Sequence, residues 1–96
     1  MTPGQVFSFR LYVAGDGQNS MQATANLRAL CRTRLAGRHE IEIVDVFGDP
    51  DRALADRIVM TPTLMRVEPG PIRRVIGNLR ATDAVAAALG LTGDDG

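Results

Sequence analysis

The chain has no lysine and no tryptophan, and its eleven basic residues, all arginine, are matched by eleven acids. That balance by itself says nothing about nucleic acid, and no nucleic-acid partner is expected. Aromatics are scarce too, which leaves Tyr12 as the one ring outside the apolar faces that could serve as a stacking platform. The exclusive use of arginine reads first as compositional bias and only then as a preference for bidentate contacts. A single cysteine, Cys31, excludes an internal disulfide and a cysteine-based zinc cluster, and it fits a reducing compartment. The single histidine, His39, has no second histidine or cysteine nearby, so no metal site is expected and His39 reads as a solvated residue at a strand start. No apolar run approaches the roughly 18 residues of a membrane span, and Met1-Thr2-Pro3-Gly4 lacks the charged start of a signal peptide. The expectation is one cytoplasmic domain over residues 1–96, with its core at about 6–91, a frayed tail at 92–96 and no cofactor.

What is present is a regular alternation of elements. In Val6–Val13 the residues Phe7, Phe9, Leu11 and Val13 fall on one face with period two, which reads as a strand. Turn chemistry follows at 14–19, and Asn19 with Gln22 three residues on suggests a capping box that starts a helix near Ser20. Leu27, Leu30, Cys31 and Leu35 form its apolar stripe, and Gly37 is its natural stop. Glu40–Val46 is β-branched and apolar toward its end, as in a strand covered on both faces. Asp49-Pro50 opens a short helix as N-cap and N1, with Leu54 and Ile58 four apart.

The apolar stretch Ile58–Leu64 is interrupted by Pro62 between two threonines, which marks a turn into a strand and makes Thr61-Pro62 the candidate cis bond. Strands at 63–67 and 72–76 are joined by Glu68-Pro69-Gly70-Pro71, short enough only for a hairpin. A last helix starts at Arg80 or Thr82 and runs through Leu89 to Gly90. The order is β-α-β-α-β-β-α, an α/β pattern with a mixed four-stranded sheet, and it resembles that of thioredoxin-like domains, which carry a cis-proline opposite the start of the first helix.

The chemistry of such domains is missing. Thiol transfer needs a cysteine where the positive end of the first helix lowers its pKa, and those positions here are Gly17, Gln18, Asn19 and Ser20. Cys31 lies about three turns in, on the apolar stripe, where it acts as a small hydrophobe. Asp45, Glu40 and Glu42 assemble no catalytic constellation without a nucleophile or ligand set, and Gly15-Asp16-Gly17 lacks the third glycine and lysine of a phosphate loop. Arg73-Arg74, beside Arg66 on the neighbouring strand, is the densest basic patch. It reads either as a solvated edge strand protected by charge or as a docking surface for an acidic partner.

Leu11-Tyr12-Val13-Ala14-Gly15, Asn19-Ser20, Ile43-Val44-Asp45-Val46, Asp49-Pro50, Thr61-Pro62-Thr63-Leu64 and Pro71-Ile72-Arg73-Arg74-Val75-Ile76-Gly77-Asn78-Leu79 together resemble the KaiB family of circadian-clock proteins, collinearly from about Phe9 to Leu89. The resemblance implies a non-enzymatic binder of a KaiC-type hexameric ATPase and autokinase that promotes the dephosphorylating phase of the kinase. It also implies recruitment of KaiA or an output histidine kinase where these exist. Some members switch fold, from a ground-state oligomer, dimer or tetramer, with a rearranged C-terminal half, to a thioredoxin-like monomer that binds; Pro62, Pro69 and Pro71 fall in the half that changes. Arg57 stands where the family often has a partner-binding lysine, whereas Gln22 and Glu42 stand where well-studied members have basic residues. Gly70 replaces the middle proline of the usual run, and the acidic extension shortens to Asp94-Asp95. The expected docking surface uses the first-strand edge, the second strand and the short helix at Arg57, with Gln22, Glu42, Arg57, Arg73 and Arg74 as its candidate partner-binding residues. Two other readings compete: a redox or thiol-transfer protein, and an interaction module with a divergent partner in stress response. A ligand site beneath Pro62 is a third.

Overall fold

The computed structural model describes residues 5–91. Seven elements follow the expected order: β1 Phe7–Val13, α1 Gln18–Arg34, β2 His39–Asp45, α2 Pro50–Ala55, β3 Thr63–Glu68, β4 Arg73–Ile76 and α3 Thr82–Ala88. The expected tail at 92–96 lies outside the described residues. The sheet runs β2-β1-β3-β4, with β1 parallel to β2 and antiparallel to β3, and β3 antiparallel to β4.

Period-two alternation divides β1 between two layers. Phe7, Phe9, Leu11 and Val13 face α1 and α3, where they pack with Leu27, Leu30, Cys31, Leu35, Leu64, Val85 and Leu89 in the larger core. Tyr12 faces the other way, into a smaller cluster with Val44, Met65 and Ala53 of α2. Each fully buried leucine contributes about 1.5–3 kcal/mol relative to exposure, so the larger core carries most of the hydrophobic stabilisation.

Several sequence expectations are corrected here. β1 is central and has no free edge; the edges are β2 and β4. β2 is exposed along most of its length, with only Val44 buried and Ile41 partly buried against the larger core, because it is an edge strand paired on one side only. Tyr12 is completely buried and offers no stacking platform. The Asn19–Gln22 capping box does not form. α1 starts two residues earlier with Gly17 at its N-cap and no side-chain cap. Ser20 instead accepts the Ala14 N–H, and Gln22 accepts a hydrogen bond from Asn78. His39 is half-buried at the start of β2, with Nδ1 2.8 Å from the Leu35 carbonyl at the end of α1. The Thr61–Pro62, Glu68–Pro69 and Gly70–Pro71 peptide bonds are all cis.

Candidate docking surface

α2 is only six residues long, too short to hold itself. Pro50 presets its first turn, and its end is closed by two backbone bonds, Arg57 N–H to the Leu54 carbonyl at 3.0 Å and Ile58 N–H to the Ala53 carbonyl at 2.9 Å. That pattern needs a left-handed residue at the position after the cap, where glycine is the usual occupant. α3 obeys the rule with Gly90 at φ 74, whereas α2 places Arg57 there at φ 56. Left-handed backbone costs an ordinary residue about 1–2 kcal/mol, and the cationic side chain of Arg57 is thereby held out in solvent at the tip of the helix.

Around that tip lies an apolar surface. Leu54 is 78% exposed and Val59 87% exposed, and Met60 and Phe47 are also open to solvent. Ile58–Met60 had the look of an apolar lead into a buried strand, yet only Ile58 packs inward. A groove of about 300 Å³ runs between Phe47 and Met60, beside Thr61. Exposed apolar residues clustered in this way are the usual mark of an interaction site.

Beneath the surface a polar network joins α2 to the sheet. Arg52 grips Glu42 with two hydrogen bonds of 2.5 and 2.8 Å, and Arg10 reaches the same carboxylate at 3.1 Å. The bonds from Arg52 and then Arg10 hold the Glu42 carboxyl down at about 2. Arg10 also bonds Asp56 at 2.9 Å, and the Tyr12 hydroxyl lies 2.5 Å from the same oxygen. The Tyr12 bond, followed by that of Arg10, lowers the Asp56 pKa, while burial and the Asp56 bond raise that of Tyr12. Four charged residues, Arg10 of β1, Glu42 of β2, Arg52 of α2 and Asp56 at its C-cap, therefore meet beside a buried tyrosine. The sequence signal was available in Arg10 and Tyr12, polar residues two apart on one face of an otherwise apolar strand.

Arg74 completes this side of the sheet. It bonds the Asp56 carbonyl, and its other nitrogen lies 3.5 Å from the Arg57 carbonyl, so a cation closes the C-terminal end of α2. The expected patch of Arg66, Arg73 and Arg74 does not exist as one surface. Arg66 is buried, donates to the Leu89 carbonyl at 2.6 Å and to the Pro71 carbonyl at 3.1 Å, and leaves its Nε unpartnered. Burial, and then the neighbouring Arg73 charge, lowers its pKa. Arg73 lies on the same face, 3.5 Å from the Ala88 carbonyl at the end of α3. Alternation along β4 sends Arg74 the opposite way.

The structure thus brings Glu42, Arg57 and Arg74 together on the α2 side and leaves Gln22 and Arg73 on the α1 and α3 side. A thiol-transfer reaction has no accessible thiol among the described residues: Cys31 is fully buried and its thiol is pushed up to about 11 by that burial. No group of three or more metal-ligating side chains occurs among the described residues, and no helix among them is long and apolar enough to cross a membrane.

Fold and site together define a thioredoxin-like α/β domain whose open chemistry is that of a contact surface. By shape the chain is similar to mitochondrial thioredoxin 3 from Saccharomyces cerevisiae, with a TM-score of 0.71 at 17% identity over 91% of this chain and 80% of that one. The N-terminal domain of SasA from Synechococcus elongatus has a TM-score of 0.72 at 16% identity, covering 96% of this chain and 90% of that domain.

Sequence narrows the class further. The KaiB domain model matches residues 10–91. The circadian clock oscillator protein KaiB of Parasynechococcus marenigrum is 38% identical over 99% of this chain and 91% of its own length. The circadian clock protein KaiB3 of a Synechocystis species is 39% identical over 83% of this chain and 78% of its own. The chain belongs to the KaiB family of circadian-clock proteins.

Proposed function

We propose that this protein is a non-enzymatic timing regulator that docks on a KaiC-type hexameric ATPase and autokinase through the α2 surface and favours the dephosphorylating phase of its partner. The observation that carries the reading is Arg57, a cation held in left-handed backbone at the tip of α2 among exposed Leu54, Val59 and Met60. A position where glycine would be less strained keeps an arginine, and strain of this kind collects at binding sites. Arg57 supplies orientation and charge, the apolar neighbours supply burial, and the Glu42–Arg52 and Arg10–Asp56 pairs hold the helix against the sheet.

The thioredoxin-like arrangement is the binding form in this reading. Exchange with a second packing of the half that contains Pro62, Pro69 and Pro71, together with recruitment of KaiA or an output histidine kinase, belongs to the same proposal. Gln22 and Glu42 bear on partner choice: where a basic side chain would meet an acidic partner directly, Glu42 presents a carboxylate already neutralised by two arginines.

Size-exclusion chromatography with light scattering, run on the chain alone and after incubation with the host's KaiC-type ATPase and ATP, tests the proposal. A complex that is lost in a Leu54→Asp/Val59→Asp variant supports it. Absence of any complex, or a complex indifferent to that variant and to Arg57→Ala, overturns it.

A further inference from the structure

The face of the β3–β4 hairpin turned away from α2 carries a pair of cations without an anion. Arg66 of β3 and Arg73 of β4 stand directly opposite each other in the ladder, a placement that like charges disfavour. Arg66 is only 6% exposed, and a buried charge is costly unless it is paired. Neither side chain has an ion-pair partner among the described residues, although Arg10, Arg34 and Arg52 all do. Burial and then the Arg73 charge lower the Arg66 pKa, and no carboxylate opposes them.

The acceptors that are present satisfy only part of the two guanidinium groups. Arg66 donates one N–H to the Leu89 carbonyl and one to the Pro71 carbonyl, which leaves three of an arginine's five donors. One of the three is the buried Nε–H, which meets no acceptor. Arg73 is exposed, and the Ala88 carbonyl lies 3.5 Å from it, at the limit of a hydrogen bond. The Ala88 and Leu89 carbonyls end α3 and carry about half a negative charge, against two full positive charges. The chain turns over the same guanidinium at Gly90, where an added Cβ would come within 2.8 Å of Arg66 Nη1.

Unused fork donors from two arginines, one held in place by burial and one exposed at the opening, suit an oxyanion. A dianion with several oxygens balances both charges, which a single carboxylate does not. We propose that Arg66 and Arg73 form a binding site for a phosphoryl group beside the end of α3, with Arg66 as its fixed wall and Arg73 closing over the ligand from the solvent side. Phe7, Phe9 and Tyr12 are buried, and Phe47 lies with the α2 surface. No ring is therefore open beside the pair to stack a nucleobase, and recognition stops at the phosphoryl oxygens. The site shares no residue with the α2 surface and lies on the other face of the sheet. The inference therefore stands whether or not the α2 surface binds the partner proposed above.

Nitrogen–proton correlation spectra of the full chain, titrated with inorganic phosphate at constant ionic strength, test it. The Arg66 Nε–H signal, assigned by its loss in Arg66→Lys, should move and saturate. The thermal midpoint supplies a second readout that needs no assignment, and it should rise over the same range of phosphate. Phosphate also stabilises proteins generally, by exclusion from their surfaces, so the variants decide. Arg73→Ala should weaken the saturable response about tenfold, the scale of a lost hydrogen bond between charged groups. Arg32→Ala removes the same charge from an exposed position on α1 and should leave the response unchanged. Arg73 is exposed as well, and circular dichroism checks that both variants fold. ADP should act as phosphate does: equal affinity identifies the free ion as the ligand, and tighter binding identifies a nucleotide held by its phosphates. No saturable shift, a response that Arg73→Ala leaves intact, or one that adenosine or acetate reproduces overturns the proposal.

Discussion

The Tyr12 hydroxyl lies 2.5 Å from an Asp56 carboxylate oxygen, a contact between the central strand and the residue that caps the shortest helix. That oxygen also receives Arg10, and the same hydroxyl is 3.1 Å from the Arg52 carbonyl. Removing the hydroxyl leaves a half-buried carboxylate with one donor fewer. Tyr12→Phe should lower stability by about 1.5–2 kcal/mol, the scale of a hydrogen bond to a charged group, measured by urea denaturation. The far larger core around Leu11 is untouched, so the far-ultraviolet spectrum should not change.

Arg57 separates stability from binding. Arg57→Gly relieves the left-handed backbone and should raise stability by about 1 kcal/mol, while affinity for a KaiC-type partner falls. Arg57→Ala keeps the strain and loses the charge, so it should lose affinity with no gain in stability. Paired denaturation and binding measurements on the two variants check both halves.

Glu42 predicts an acid limb. Its carboxyl is held at about 2 in the folded chain against an ordinary 4.5. A depressed carboxyl contributes stability that is present above the unfolded pKa and is lost as pH falls toward the folded one, here from about 4.5 to 2. Asp56 is shifted in the same direction. The side chain is half exposed, so solvent screening keeps the effect small. Thermal midpoints recorded across that window should fall less steeply for Glu42→Gln than for the parent chain.

Cys31 should be silent until the chain unfolds. With its thiol up near 11 and its sulfur in the core, reaction with a thiol reagent at neutral pH should follow the opening of the protein. Addition of urea should accelerate it to the rate of a free thiol. Insulin reduction should show no turnover above background. Cys31→Ser buries a hydroxyl in apolar surroundings and should cost about 1–3 kcal/mol.

Element order and most boundaries were legible because each depends on near neighbours. The alternation of Phe7, Phe9, Leu11 and Val13 gave β1, Pro69-Gly70-Pro71 gave the hairpin, and Gly90 gave the end of α3. Strand order was not legible, since it depends on which long-range pairings win. The apolar run in β2 therefore looked doubly covered, although it lies at an edge. Arg66, Arg73 and Arg74 looked like one patch because they are close along the hairpin, yet the pleat sends Arg74 to a different face and burial removes Arg66 from the surface. The resemblance directed attention to Arg57 and Glu42, whereas the exposure of Leu54, Val59 and Met60 required the fold.

Arg73 and Arg74 are adjacent in sequence, but one lies against the last carbonyls of α3 and the other against those of α2. A four-residue strand thus acts as a rivet through the sheet, with a head on each side. If β4 peels from β3, the end of α2 loses Arg74 and the end of α3 loses Arg73 in the same event, keeping only Arg66 of β3. Amide protons near Asp56 and near Ala88, far apart in the chain and on opposite layers, should then exchange with a common opening free energy, as one cooperative unit of the C-terminal half.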